Sequence, residues 1–195
     1  MNTPNKLTLT RIVLAPVFMF FFMLDSFQMR LIGLILFLVA ALTDLFDGYI
    51  ARKYGILTGF GKFMDPLADK ILVSSALICF VSLHYASPLP VMLIIGREFS
   101  ITGLRLLAAY RGAIIPPSWW AKVKTFLQMT VLAVIMSYIF VITAVRDFDI
   151  NLPALEAFNY LFYFNLLLWV TAVVTLWTGV DYIVKYFSMI KSVLK

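Results

Sequence analysis

Long stretches without a charged residue divide this sequence into apolar segments joined by short polar connections. They cover residues 12–24, 31–43, 71–96, 125–145 and 157–180. The third stretch contains Pro88 and Pro90 in a short polar segment typical of a loop, so it is divided between two helices. Because a membrane-spanning helix needs about 20 residues, the pattern predicts six helices, approximately over residues 8–24, 31–53, 62–83, 88–110, 122–145 and 156–187.

The composition is typical of a multi-span membrane protein. Hydrophobic residues make up 63% and charged residues 13% of the chain, against about 45–50% and about 25% in soluble domains. We therefore expect one all-α integral membrane domain over residues 1–195 that contacts membrane lipids, and we exclude a disordered or ordinary water-soluble chain. The net charge of +6 does not indicate a nucleic-acid partner, because the charges are too few to form a soluble basic surface.

The positive charges are distributed unevenly between the two predicted membrane faces. Of 16 Lys and Arg residues, only Arg30 and Arg146 fall on the face opposite the termini, and Arg97 lies within a predicted span. Because cytoplasmic connections carry the excess of Lys and Arg, both termini are predicted to be cytoplasmic. We expect a multi-pass protein of the cell (inner) membrane whose first helix is not cleaved, because no small-residue cleavage pattern follows it.

Four of the ten acidic residues are concentrated in residues 44–69, inside or at the ends of predicted spans. Ionisable groups at membrane depth cost at least ~2.5–3.5 kcal/mol each on insertion scales, so they are candidates for function. Asp44 and Asp47 share one helix face, and Asp65 and Asp69 share one face of the next helix. The short connection between these helices predicts that both pairs lie at one depth, near the cytoplasmic face.

This arrangement is typical of a divalent metal site. Four neighbouring carboxylates cannot all remain ionised without compensation, and oxygen-only ligation suits Mg²⁺ or Mn²⁺. The single cysteine, Cys79, and the single histidine, His84, exclude a site built from sulfur or several imidazoles. Four carboxylates can hold two ions, as in sites that carry out displacement at phosphorus. The alternative is a structural set of ion pairs with Arg52, Lys62 and Lys70.

Small residues and one arginine next to the first aspartate pair fit a nucleotide. Gly48 and Ala51 give the helix a smooth surface against which a base or sugar can lie, and Arg52 offers a forked cation for phosphate oxygens. Close packing between membrane helices explains the two small residues equally well, so both interpretations stay open.

These residues form a signature with fixed spacing, which reads Asp44-x₂-Asp47-Gly48-x₂-Ala51-Arg52-x₈-Gly61-x₃-Asp65-x₃-Asp69. It resembles the full motif of the CDP-alcohol phosphotransferases. Eight fixed identities at roughly 5% each coincide at a given start on the order of once in 10¹⁰. The resemblance is therefore specific, and it extends over about residues 1–130.

The resemblance implies a six-helix membrane fold, usually a homodimer, with a two-metal centre at the cytoplasmic membrane face. It implies that all four aspartates bind the metal ions and that Asp69 also acts as the base on the acceptor hydroxyl. It assigns Gly48, Arg52 and Thr58 to contacts with the CDP group. Ala51 and Gly61 of the signature are assigned to the same substrate, CDP-diacylglycerol.

Residues outside the signature resemble one branch of the family, the bacterial phosphatidylglycerophosphate synthases. They comprise residues 2–11 and 65–70, the pair Arg97-Glu98 with Arg105, and residues 122–125. Within the N-terminal run, three polar residues are predicted to line the nucleotide or diphosphate site, namely Asn5, Thr8 and Arg11. Ordinary helix capping and snorkelling are the alternative for these three.

A second group of basic residues suggests an anionic acceptor. Arg105, Lys122 and Lys124 are predicted to face the same cytoplasmic layer as the aspartates, which suits glycerol 3-phosphate better than inositol or serine. Arg97 lies deeper and is assigned to the acceptor phosphate too, although a buried structural pair with Glu98 fits equally well. Binding of anionic lipid headgroups is the alternative for the basic group as a whole.

Together with the basic residues, the resemblance implies a transferase that moves the phosphatidyl group of CDP-diacylglycerol to glycerol 3-phosphate and releases CMP. One alternative is another acceptor, as in phosphatidylserine or phosphatidylinositol-phosphate synthases. A second is a cation transporter that uses the four aspartates in transit, against which the last two helices carry almost no intramembrane ionisable groups. Metal-dependent release of CMP from CDP-diacylglycerol separates an enzyme from a transporter.

The uneven distribution of basic residues predicts the orientation in the membrane. Cysteines introduced at Ser26 and Ser87 should react with an impermeant reagent added outside intact cells, whereas cysteines at Gly55 and Ser192 should not. The reverse labelling pattern would place the aspartates on the wrong face for cytoplasmic CDP-diacylglycerol and contradict the mechanism.

Overall fold

A computed structural model describes the backbone over residues 3–54, 59–112 and 119–187, and the side chains of residues 8–43, 64–112, 119–153, 155 and 157–187. Every regular element in these ranges is an α-helix, as the sequence predicts. The helices are α1 (Thr3–Met23), α2 (Phe27–Tyr54), α3 (Gly59–Ser82), α4 (Pro88–Tyr110), α5 (Trp119–Asp147), α6 (Pro153–Glu156) and α7 (Tyr160–Lys185).

The last predicted helix, over residues 156–187, is divided into two helices in the structure. A separate turn of helix, α6, begins at Pro153 and closes with a hydrogen bond from the Ala157 N–H to the Pro153 carbonyl, 3.0 Å long. The long helix α7 begins only at Tyr160, directly after Asn159, a residue type that commonly caps helices. Hydrophobicity does not distinguish these two helices, because apolar residues continue across the break.

Among the described residues, two helices are long and apolar enough to cross a membrane, α5 with 29 residues and α7 with 26. Shorter apolar helical segments cover Thr8–Met23 and Phe27–Thr43. Lengths and composition therefore agree with a membrane protein, while the number of six spans and the side of the termini stay predictions. Because α5 and α7 bury only a third of their most apolar residues inside the chain, much of their apolar surface is left for a surrounding partner such as lipid.

The chain divides into two compact units. Unit 1 consists of Met1–His84 and Val134–Asn159. Within it α1 packs against α2 and α3, and the rings of Phe18 and Phe37 lie 5.3 Å apart at centroid. Gly33 permits a backbone contact between α1 and α2, because a Cβ at this position would lie 2.9 Å from the backbone nitrogen of Phe22.

Unit 2 consists of Tyr85–Ala133 and Tyr160–Lys195. Within it α4 packs against α7. Pro88 at the first turn of α4 has no N–H to leave unsatisfied, and the preceding Ser87 N–H donates to the Asn165 side chain of α7 at 2.8 Å. Ile101 and Tyr182 are buried where the two helices meet.

An ion-pair network in unit 1 ties the α1–α2 connection to the end of α5. Asp25 accepts from Arg146 at 2.7 Å and pairs with Arg30 at 2.9 Å. The Phe27 N–H donates to Asp147 at 2.7 Å, and the buried Arg30 also donates to Thr143. Arg30 and Arg146, the two basic residues on the predicted outer face, thus both pair with Asp25.

This network predicts a loss of stability in acid that depends on Asp25. The hydrogen bond from Arg146 holds the pKa of the Asp25 carboxyl below its ordinary value of about 3.8. A carboxyl whose pKa is lower in the folded than in the unfolded state stabilises the fold at pH values above its unfolded-state pKa. That stabilisation is lost as the pH falls through its folded-state pKa. Asp25→Asn should therefore lower the free energy of unfolding by about 1 kcal/mol at neutral pH and weaken its dependence on pH below about 4.

Thermal unfolding of the purified protein in detergent, measured from neutral pH down to pH 3, provides the test. Asp149→Asn is the matched control, because Asp149 is exposed and has a φ of 52° that asparagine adopts readily. Equal stability of Asp25→Asn and the wild type at neutral pH would show that the network contributes nothing.

Candidate active site

The described half of the aspartate signature lies near the start of α3. Asp65 and Asp69 are one helical turn apart on this helix, and both side chains are partly exposed. Their spacing therefore gives the shared face that the sequence predicts. Partial exposure leaves the carboxylates accessible to a ligand.

The orientation of Asp65 is fixed by a residue of α1. The hydroxyl of Thr8, which is fully buried, donates a hydrogen bond to Oδ1 of Asp65. Thr8 belongs to a buried face of α1 that continues through Ala15 and Phe18, so the packing of α1 determines where the hydroxyl points. Because each carboxylate oxygen accepts more than one hydrogen bond, Asp65 keeps the capacity to bind a ligand as well.

Asp44 and Asp47 lie on α2, and their side chains are outside the described residues. Their places along the helix are nevertheless informative, because α2 contacts α3 and ends at Tyr54. At about 1.5 Å per residue, they lie roughly 10–15 Å before that end. Asp65 and Asp69 lie a similar distance after the start of α3 at Gly59. Both aspartate pairs thus lie at a similar distance from the helix ends that residues 55–58 connect, and their common depth stays a prediction.

Asp69 also contacts a cation of its own helix. Nζ of Lys70 lies 3.5 Å from Oδ2 of Asp69, whose side chain is 45% exposed. This is one of the ion pairs in the structural alternative, whereas Arg52 and Lys62 have side chains outside the described residues. An exposed pair at this distance contributes little to stability, and it leaves the other oxygen of Asp69 available.

The donors that the structure describes fit a hard divalent cation, because they are carboxylate oxygens alone. Among the described side chains no group of three His, Cys, Asp or Glu residues is close enough to hold a metal ion. Asp65 and Asp69 supply two carboxylates, so a complete site requires the aspartates of α2. Metal binding therefore stays a prediction.

Of the other residues assigned to CDP-diacylglycerol, the structure describes the side chains of Thr8 and Arg11. Arg11 lies one turn after Thr8 on α1 and is 1% exposed, which is not the exposure expected of a snorkelling arginine. The other six have side chains outside the described residues. Five of these six lie on described helices, whereas Thr58 lies outside the described backbone as well. The five are Asn5, Gly48, Ala51, Arg52 and Gly61.

The residues assigned to the acceptor belong to unit 2, whereas the aspartates belong to unit 1. Their predicted convergence therefore stays a prediction. Within unit 2 the carboxylate of Glu98 is 4% exposed and pairs with two of the basic residues, Lys124 and Arg97, the latter at 3.3 Å. Arg97 also donates to Thr178 of α7 at 3.0 Å. The buried structural pair proposed for Arg97 and Glu98 is thus present, with Lys124 as a third member.

Arg105 and Lys122 have different surroundings. The guanidinium carbon of Arg105 lies 5.6 Å from the ring centroid of Tyr182, which is within the range of a cation–π contact. Lys122 is exposed. Lys124, by contrast, is 3% exposed and neutralised by Glu98. The four basic residues therefore divide into a carboxylate-bound pair, Arg97 and Lys124, and two that pair with no carboxylate among the described residues.

Sequence reasoning missed two features of unit 2. It did not find the partner of Lys124, because Glu98 is 26 positions away and was considered only with its neighbour Arg97. It also treated α7 as apolar throughout, although this helix has a buried polar face. The spacing of that face is a detectable signal, since one side of a helix carries all its members. They are Thr171, Thr175, Thr178 and Tyr182.

Known proteins resemble this chain over most of its length. The family described as CDP-alcohol phosphatidyltransferase matches residues 1–177. Several relatives carry the name CDP-diacylglycerol--glycerol-3-phosphate 3-phosphatidyltransferase. The Bacillus subtilis protein is 39% identical over 98% of both chains, and the Rickettsia bellii protein 38% over 93% of both. The Salmonella paratyphi A protein is 42% identical over 68% of this chain and 75% of its own.

The family match includes the whole aspartate signature together with α1 to α6, and it ends within α7. The hydrogen bond from Thr8 to Asp65 therefore joins two helices that both lie inside the matched region. The chain belongs to the CDP-alcohol phosphatidyltransferase family.

Proposed function

We propose that this protein transfers the phosphatidyl group of CDP-diacylglycerol to glycerol 3-phosphate, forming phosphatidylglycerophosphate and CMP. The observation that carries the proposal is the near full-length similarity to relatives named for this reaction, at 38% and 39% identity. The geometry agrees, because Asp65 and Asp69 present accessible carboxylates at the end of α3 that adjoins α2.

In this mechanism Asp69 is the base. One of its carboxylate oxygens accepts the proton of the glycerol 3-phosphate 1-hydroxyl, while that hydroxyl oxygen attacks the phosphatidyl phosphorus of CDP-diacylglycerol. The new P–O bond forms as the P–O bond to CMP breaks, and the CMP phosphate takes up the bonding electrons. Partial exposure of Asp69 suits this role, since the base must reach a soluble substrate.

Thr8 is proposed to position Asp65 rather than to contact only the CDP group. Its hydroxyl donates to Oδ1 of that carboxylate, and a fixed carboxylate binds a ligand without reorganisation. Arg11, one turn further along α1, supplies a buried positive charge for the diphosphate. Two divalent cations, Mg²⁺ or Mn²⁺, held by the four aspartates would neutralise the negative charge that develops on the phosphates when bound.

The same proposal includes the membrane location, the orientation and the oligomeric state of the enzyme. Six helices spanning the cell (inner) membrane would place both termini and the aspartates at the cytoplasmic face, in agreement with the distribution of basic residues. The protein would act as a homodimer, as the family resemblance implies. Purified protein should release CMP and form phosphatidylglycerophosphate only when a divalent cation and glycerol 3-phosphate are both present.

Asparagine variants of the four aspartates test the site. Asp44→Asn, Asp47→Asn and Asp65→Asn should abolish metal-dependent transfer, because the amide keeps the shape and loses the charge that offsets a cation. Asp69→Asn should lower kcat by about 10²–10⁴, the range for a general base, with a smaller effect on CDP-diacylglycerol binding.

Activity is measured as CMP release at saturating Mg²⁺ or Mn²⁺, with Asp149→Asn as the control for removal of a distant exposed carboxylate. Near-normal activity in any of the first three variants would remove that residue from the metal site. An equal fall in substrate binding and kcat for Asp69→Asn would make it a ligand and leave the base unassigned.

The basic residues of unit 2 should separate into two classes. Arg105→Ala and Lys122→Ala should raise the KM for glycerol 3-phosphate about ten- to a hundredfold, with little change in the KM for CDP-diacylglycerol. Lys124→Ala should instead destabilise the protein by about 1–3 kcal/mol, because the buried Glu98 carboxylate loses one of its two charged partners and keeps only Arg97.

Arg111→Ala is the matched control, since Arg111 ends α4 and is exposed. Steady-state kinetics and thermal unfolding of each variant distinguish the two classes. A preference of the wild type for serine, inositol or inositol phosphate would keep the family but contradict the acceptor. A change confined to the KM for CDP-diacylglycerol would show that the basic residues bind the lipid substrate.

A further inference from the structure

A proline interrupts the backbone hydrogen bonds of α3 between the two described aspartates. Pro66 directly follows Asp65, precedes Asp69, and lies inside a helix that continues over Gly59–Ser82. Because proline has no N–H, residue 66 cannot donate the helical hydrogen bond to the carbonyl of Lys62, four residues before it. The backbone carbonyl of Lys62 therefore lacks its helical donor.

The place of Pro66 along α3 makes this loss significant. The first four N–H groups of a helix have no intrahelical acceptor, so a proline among them removes no hydrogen bond. Pro66 lies about two turns after the start of α3 at Gly59, where an N–H would have had an acceptor. A proline at such a position destabilises the helix unless the carbonyl that it frees finds another partner.

The freed carbonyl lies on the same face of α3 as the aspartates. Lys62, Asp65, Pro66 and Asp69 follow the i, i+3, i+4, i+7 spacing of one helix face. A helical carbonyl points along the helix axis towards the residue four positions later, which here is the turn that carries both carboxylates. Asp65, Pro66 and Asp69 are all partly exposed, so a ligand can reach this face.

The chemistry of a carboxylate site for two cations favours a neutral oxygen as a further ligand. Each Mg²⁺ or Mn²⁺ takes about six oxygen ligands, so four carboxylates do not complete the coordination of two ions. Their negative charges already balance two divalent cations, and another carboxylate would add uncompensated charge. A backbone carbonyl supplies an oxygen without a charge. The side chains that the structure describes offer no third His, Cys, Asp or Glu beside Asp65 and Asp69.

A second helical proline in unit 1 shows what is particular about Pro66. Pro16 lies inside α1, is exposed, and removes the helical donor of the Ile12 carbonyl. Membrane helices tolerate such prolines where their surroundings satisfy the freed carbonyl, so a helical proline alone does not indicate a ligand. However, α1 contains no acidic residue, whereas Pro66 lies between two carboxylates on one face.

We propose that Pro66 is a positioning residue for the divalent cation, and that the Lys62 carbonyl, which it frees, is an oxygen ligand of that cation beside Asp65 and Asp69. The hydroxyl of Thr8 fixes Asp65 from α1, and the interrupted hydrogen bond adds a neutral donor atom on α3 itself. The proposal rests on the metal site of the proposed function, to which it adds one ligand.

Pro66→Ala tests this role in the full-length protein purified in detergent, without CDP-diacylglycerol or glycerol 3-phosphate. Alanine restores the N–H of residue 66, which then occupies the Lys62 carbonyl. The Kd for Mn²⁺, measured from the EPR signal of the free ion, should rise about ten- to a hundredfold. The Tm without metal should stay the same or rise, because the helix regains a hydrogen bond.

Two further variants separate the missing N–H from other effects of the substitution. Pro16→Ala is the matched control, since it makes the same chemical change in α1, and it should keep the Mn²⁺ affinity of the wild type. Lactic acid introduced in place of Pro66 has the methyl side chain of alanine but an ester oxygen instead of the N–H. It should therefore restore most of the affinity that Pro66→Ala loses.

Metal-induced stabilisation provides a second measurement, because a ligand that binds only the folded protein raises its Tm. Mn²⁺ should raise the Tm of the wild type and of Pro16→Ala. At the same Mn²⁺ concentration it should raise that of Pro66→Ala much less.

The outcomes separate this inference from the proposed function. If the wild type forms phosphatidylglycerophosphate but Pro66→Ala binds Mn²⁺ as tightly as the wild type, the inference is wrong and the function stands. If Pro66→Ala loses Mn²⁺ affinity but the wild type forms no product, the function is wrong and the carbonyl ligand stands. Absence of Mn²⁺ binding by the wild type, or an ester variant that binds as weakly as Pro66→Ala, would overturn the carbonyl ligand.

Discussion

The cost of placing a charge in apolar surroundings governs this structure. A chain with 63% hydrophobic and 13% charged residues has few charges, and each one within a helical bundle must be compensated. In unit 1 the buried Arg30 is paired with Asp25 and Thr143, and Asp65 accepts from Thr8. In unit 2 a single buried carboxylate, Glu98, serves two cations. Where compensation within the chain is incomplete, a ligand is the natural partner.

Much of the fold follows from the sequence by the same reasoning. Charge-free stretches predict the helices because an apolar environment requires the backbone to satisfy its own hydrogen bonds, and only helices do so within one segment. The break between α6 and α7 was not predictable in this way, because apolar residues continue through Ala157 and Phe158 and the break depends on local backbone geometry. Helix starts at Thr3 and Phe27 were also missed, since polar residues extend those helices beyond the apolar stretch.

The candidate site likewise has some features that the sequence predicts and others that depend on packing. The spacing of Asp65 and Asp69 indicates a shared helix face, since helical periodicity is a local property. The hydrogen bond from Thr8 joins residues 57 positions apart, and no local rule connects them. The same holds for Lys124, whose charge suggests a phosphate ligand until its buried partner Glu98 is seen. Charge and spacing thus indicate which residues matter, and packing decides which of them remain available.

The contact at Gly33 has a mechanical consequence for the aspartates. Because a Cβ there would lie within 2.9–3.0 Å of backbone atoms of Phe22, the backbones of α1 and α2 are in close contact at this point. Thr8 lies 14 residues away along α1, about 21 Å at the helical rise. The close approach of α2 at Gly33 therefore fixes the separation of the two helices at the end of α1 opposite Thr8. A larger residue at position 33 would push α1 away from α2 and would shift the hydroxyl that holds the Asp65 carboxylate.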